Sequence, residues 1–194
     1  MKKTIFAILF LVVLGSTVFS QGTLEPGNLY VEFRNETMGG TVDTIKLYKK
    51  DQQIKLYRTG KYGSFMTLLD FNLNHQVDIA IDKGKVASRY TSINYATVRG
   101  VWHIYYNGFT ESADIYKLLP AKQTVCGKQC DVYESVKKNV DGSVIQYFMY
   151  GKMMLKSVKP GNTMEAVVCD ENPVFAEGEF DIPADVSWLY DQAR

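Results

Sequence analysis

The chain has 194 residues, 46% of them hydrophobic and 13% aromatic, with a formal net charge of +1. Lys2 and Lys3 are the only charges in the first twenty residues, so residues 21–194 carry about −1 and no basic tract, which argues against a nucleic-acid partner. Thirteen tyrosines and ten phenylalanines favour pleated, half-buried surfaces, and three cysteines are too few for a disulfide framework.

The N-terminus, MKKTIFAILFLVVLGSTVFS, reads as a secretory signal peptide over residues 1–20. Two lysines precede an uncharged apolar run, Ile5 to Leu14. Val18 and Ser20 then stand at the −3 and −1 positions of a cleavage site after Ser20. The run is shorter than the ~20 residues of a membrane span, so the cleaved product is not expected to cross a membrane. No cysteine stands at the exit, which excludes lipidation there. The expected product is a single soluble domain, residues 21–194, in the periplasm or secreted.

Alternating apolar and polar runs separated by turn residues then predict strands in order. Leu29 to Arg34 alternates up to Gly39-Gly40, and Val42 to Tyr48 and Ile54 to Arg58 flank the Lys50-Asp51-Gln52 turn. Phe65 to Asp70, Val77 to Ile81, Val86 to Tyr90 and Val101 to Tyr106 follow. A helix is predicted from Thr110 or Ser112 to Leu119, with Ile115, Leu118 and Leu119 on one face and Pro120 ending it. The second half reads as a meander of Cys130 to Val136, Val144 to Tyr150, Met153 to Val158 and Met164 to Cys169. Gly178 to Ile182 is strand-like, and Ala184 to Asp191 is predicted as a terminal helix. About ten strands with few helices predict a mainly β (α+β) fold. The expected form is a curled antiparallel sheet or incomplete β-barrel with one or two covering helices.

The stretches IKLYR, MTLLDFNLNHQVDIAID, TVCGKQCDVYES, YFMYGKMMLKSV and FDIPADVSW carry a resemblance. In order and spacing they resemble the LolA/LolB lipoprotein carriers and related bacterial envelope domains. The resemblance implies an incomplete antiparallel barrel with helices against an open, apolar concave face that holds acyl chains. It also implies an arginine tied to lipid release, for which Arg58 is the nearest candidate by context. Residues 21–28 (QGTLEPGN) lack the amphipathic helix that carriers place there, so the fold transfers more directly than the shuttling activity.

Tyr147, Met149, Met153, Leu155, Met164 and Val168 fall on consecutive predicted strands and are expected to line one concave face. Methionine adapts to irregular ligands and each buried CH₂ contributes about 0.8 kcal/mol. An ordinary packed core is the competing reading of the same residues. Cys126 and Cys130 flank a predicted three-residue loop and are the candidate disulfide, with reduced thiols or another pairing as alternatives. Cys169, two strands further along, is expected to be out of reach at ~4.8 Å per strand. His75 reads as a loop residue and His103 as a strand residue. Asp78 and Asp82 lie roughly 13 Å apart along their strand, too far to act as an acid and base pair. No phosphate-binding, metal-binding or nucleophile-elbow motif is present, so no cofactor, metal or nucleotide is expected. Asn35-Glu36-Thr37 is a glycosylation sequon that matters only in a eukaryotic pathway. The expected function is non-enzymatic binding of a lipid or a lipoprotein acyl chain. The alternative is an envelope protein-protein interaction module with a filled core.

Overall fold

The computed structural model describes residues 27–93, 115–151 and 153–192. The expected signal peptide, the predicted strand Val101 to Tyr106 with His103, and the first part of the predicted helix at 110–114 lie outside them.

Thirteen strands form among the described residues. The first six are β1 (Asn28–Thr37), β2 (Val42–Lys50), β3 (Gln53–Gly60), β4 (Gly63–Asp70), β5 (His75–Ala80) and β6 (Val86–Tyr90). The rest are β7 (Tyr116–Leu118), β8 (Gln123–Val125), β9 (Lys128–Ser135), β10 (Gln146–Tyr150), β11 (Met153–Lys159), β12 (Asn162–Asp170) and β13 (Ser187–Asp191). Their order across the sheet is β13-β6-β5-β4-β3-β2-β1-β12-β11-β10-β9-β7, with β8 pairing β9 off this path. Two runs of consecutive hairpins are therefore joined where β1 meets β12. The sheet is open and curled, not a closed barrel.

Register assigns each side chain to a face. Val31 pairs with Leu47, Leu47 with Leu56, and Phe33 with Ile45, so the odd positions of β1 and β2 share the inner face. That face joins Leu29, Val31, Phe33, Leu47 and Ile54 to Val132, Phe148, Met149, Leu155 and Ala166 in one core cluster, so the two halves of the sheet bury each other. Each fully buried Leu or Phe contributes about 1.5–3 kcal/mol. A second cluster, Met66, Leu68, Val77, Ile79 and Ala87, lies on the outer face and is covered by Ile182, Val186 and Trp188 of the C-terminal segment.

Of the eleven predicted strands that fall among the described residues, ten are present, and Gly178 to Ile182 forms a turn instead. The predicted helices are corrected. Tyr116–Leu118 is a strand paired with β9, so the Ile115, Leu118, Leu119 spacing marks a strand and the bend before Pro120. Ala184 to Asp191 contains β13, which runs parallel to β6 with Trp188 opposite Ala87. Tertiary pairing overrides weak local preference in both places. The only helical turn among the described residues is the 3-10 turn Ile81–Lys83.

Candidate functional site

The residues expected to line a ligand cavity are packed instead. Tyr147, Met149, Met153 and Leu155 are all buried in the inner core, Leu155 completely, and Met164 packs against the same cluster. Val168 does not join them. A bulge in the β1–β12 pairing between Glu32 and Phe33 shifts the parity of β12, so Val168 sits opposite Glu32 on the outer face and is exposed. Arg58 stands at the rim, its guanidinium paired with the buried Asp43. The sequence thus placed five of the seven together, in a core.

Burial holds the Tyr147 phenol protonated, helped by its hydrogen bond with Tyr116, whose ring meets it edge-on at 5.4 Å. Tyr30 is shifted in the same direction, by burial first and then by donating to Glu32 Oε2 at 2.8 Å. Burial likewise raises the Cys169 thiol, to about 11. The folded state thus holds these protons more tightly than the unfolded chain does. Their contribution to stability is complete below the ordinary thiol and phenol values of 9.0 and 10.0 and is lost as pH rises past them towards the folded values. The urea midpoint of the reduced protein should therefore fall between pH 9 and pH 11. A midpoint that stays level across that range would contradict this assignment.

Among the described residues, an open groove lies on the outer face. It has a volume of about 660 Å³ and runs between strands β2 to β4 and the C-terminal loop 177–184. Its floor is Lys46, Tyr48, Lys55, Tyr57 and Met66. The tetrapeptide Ile-Lys-Leu-Tyr occurs twice, at 45–48 and 54–57, and this repeat builds the floor. Antiparallel register sets Lys46 opposite Tyr57 and Tyr48 opposite Lys55, while Leu47 meets Leu56 on the inner face. The repeat was the available signal for the groove, and hydrophobic alternation alone did not reveal it.

An aromatic chain continues from the floor. Tyr30 and Tyr48 lie 5.0 Å apart, Tyr48 and Phe175 6.1 Å, and Phe175 and Phe180 5.3 Å. The Lys55 ammonium lies 4.8 Å above the Tyr48 ring and pairs with Glu179, while Lys46 faces Glu32 at 3.6 Å. Glu177, Glu179 and Asp181 make the opposite wall acidic. A basic, aromatic floor against an acidic wall suits a polypeptide segment with both polar and apolar side chains.

A smaller cleft of about 270 Å³ borders the groove through Ile182 and includes Asp70, His75 and Arg89. His75 begins β5 opposite Asp70 and is not in a free loop. Arg89 stacks on Trp188 at 4.5 Å and faces Asp191 at 3.7 Å. The three aspartates that look clustered in sequence have local partners. Asp70 accepts from the amides of Asn72 and Leu73, Asp78 from Thr67 and Gln76, and Asp82 from the amide of Ser64. Among the described residues no group of acids, cysteines and histidines is arranged to hold a metal, and no helix is long and apolar enough to cross a membrane.

The candidate cysteine bridge is absent, and the hairpin explains why. Cys126 and Gly127 occupy the two-residue turn between β8 and β9 with φ of 49° and 76°, and Val125 pairs with Lys128. This is the left-handed pair of angles that a tight hairpin requires. Cys130 therefore sits opposite Gln123, not Cys126, and all three thiols are free.

No protein-family model matches the chain, and no curated protein matches it either. Among solved structures the chain is similar to MucB, with a TM-score of 0.51 and 12% identity over 82% of this chain and 58% of MucB. It is similar to the same fold in the Pseudomonas aeruginosa MucA/MucB complex, at 0.52 and 13% over 81% of this chain and 56% of that one. An uncharacterized conserved protein from Thermus thermophilus is similar at 0.53 and 7%, over 85% of this chain and 91% of that one. The chain spans less than two thirds of the length of MucB and 32% of PNGF-II, which it resembles at a TM-score of 0.46. At these identities the likeness is one of fold.

Proposed function

We propose that this chain is a non-enzymatic interaction module of the cell envelope whose outer-face groove receives an extended segment of a partner protein. The observation that carries this reading is where the space lies. Five of the seven residues expected to form an acyl cavity are packed into the core, and among the described residues an open groove stands over the repeated Ile-Lys-Leu-Tyr floor. Two further points support it: the N-terminal sequence has the features of an export leader, and the fold is shared with MucB, which is solved in complex with MucA. Lys46 and Lys55 would meet acidic side chains of the segment, and Tyr48 and Tyr57 its apolar ones.

The test is photocrosslinking in cells, with a benzophenone amino acid at Tyr57 in the groove or at Val168 outside it. A discrete protein adduct from position 57, lost when Lys46 and Lys55 are both changed to glutamate, is the expected result. Equal adducts from both positions would sink the groove assignment. Copurifying lipid, with fatty-acid uptake abolished by Leu155→Asp in a protein that still folds, would return the acyl-carrier reading.

A further inference from the structure

We propose that Cys126 and Cys169 become joined by a disulfide bond in an oxidising compartment, clipping the β8–β9 hairpin to the end of β12 and leaving Cys130 as a buried thiol. On a flat sheet the pair would be separated by several strand spacings of ~4.8 Å. The curl removes that separation. The β8–β9 hairpin lies off the main path of the sheet, and its turn reaches the C-terminal end of β12. Lys128 pairs with Glu171 across the same gap, and each of those residues lies two positions beyond one of the cysteines. The Lys128 ammonium also lies 5.3 Å from the Tyr150 ring, which fixes the hairpin against β10.

Cys126 and Cys169 are both partly buried and pack against the same inner core. The two thiols are near enough to feel each other's charge: after burial, Cys126 is the next largest influence that disfavours ionisation of Cys169. Cys130 differs in access: it is fully buried while the other two are only partly so, and its thiol is directed at the Lys128 carbonyl at 3.6 Å.

The chemistry is thiol-disulfide exchange with a small-molecule or protein disulfide as oxidant. The Cys126 thiolate attacks one sulfur of that disulfide and releases one thiolate. The Cys169 thiolate then attacks the Cys126 sulfur of the mixed disulfide and releases the second. Two protons and two electrons leave the chain, and the oxidant is reduced to two thiols. The bond closes a loop of about 40 residues, long enough to restrict the unfolded chain substantially.

The test equilibrates the purified protein with oxidised glutathione, alkylates it in denaturant and digests it with trypsin without reduction. Cleavage after Lys128 separates Cys126 from Cys130, so the pairing is read directly by mass. A linked Cys126–Cys169 peptide with alkylated Cys130 is expected, together with a melting temperature about 5–10 °C lower after reduction. Cys130→Ala should keep the linked peptide. A Cys126–Cys130 peptide, alkylation of all three cysteines, or loss of the bond in Cys130→Ala would each overturn the proposal.

Discussion

Replacing Leu155 with alanine is expected to lower the unfolding free energy by about 2–5 kcal/mol, measured as a shift in urea midpoint at constant slope. Leu155 is completely buried and is the extra residue where the β10–β11 pairing shifts register, between Phe148 and Met149. Met153 and Met154 beside it are buried too, as is Tyr147 on the neighbouring strand. The truncated side chain therefore leaves a void that its neighbours, held by two strands, fill only in part. Such a loss is large against a total stability of about 5–15 kcal/mol. A residue lining an open acyl cavity would behave differently, costing little stability and altering ligand uptake. A loss under about 0.5 kcal/mol would mean that this side chain is not packed as described.

The second large effect is expected at Arg58. Asp43 is buried with only 5% of its side chain exposed, and its Oδ2 accepts from Arg58 Nε at 3.2 Å and from Nη2. Its Oδ1 has no hydrogen-bond donor among the described residues. Arg58→Leu leaves that carboxylate buried without its counter-charge, and about half of the arginine side chain is exposed, so water restores part of what is lost. The expected cost is about 2–3 kcal/mol, below the range for a fully buried pair. Asp43→Asn added to Arg58→Leu should recover part of it, because the remaining partner is then neutral. Gly60 enforces the geometry: a Cβ there would lie 1.9 Å from Asp43 Oδ1. If Arg58→Leu and Asp43→Asn are additive in a double-mutant cycle, the two side chains are not coupled and the assignment fails.

The strands were legible because their signal is local. Val77, Ile79 and the residues between them alternate cleanly, and Asp51 and Gly84 sit in the turns where the register demands them. The parts that escaped depend on partners remote in sequence. β13 carries no period that separates strand from helix, and its identity comes from β6 on the far side of the chain. β7 is three residues long and exists because β9 pairs with it. The outward turn of Val168 follows from one bulge, which alternation counted along β12 alone does not contain. The groove was hidden for a related reason: Lys46, Tyr48, Lys55 and Tyr57 look like an ordinary polar face until the C-terminal loop is laid across them.

The place of β1 in the middle of the sheet constrains how the chain reaches this structure. Its pairing with β2 joins neighbours through a short turn, and the strands up to β6 follow as successive hairpins. On its other edge β1 pairs with β12, where Asn35 accepts a hydrogen bond from Asn162, 127 residues away. The first meander is thus free to form early, while its other edge stays bare until the second meander has been made and brought to it. Closing so long a loop is slow, and an unpaired strand edge is a template for association with other chains. Folding yield therefore rests on how quickly that seam zips relative to encounters between partly folded copies. Dilution or a holding chaperone during refolding should matter more for this chain than for a sheet built wholly from hairpins.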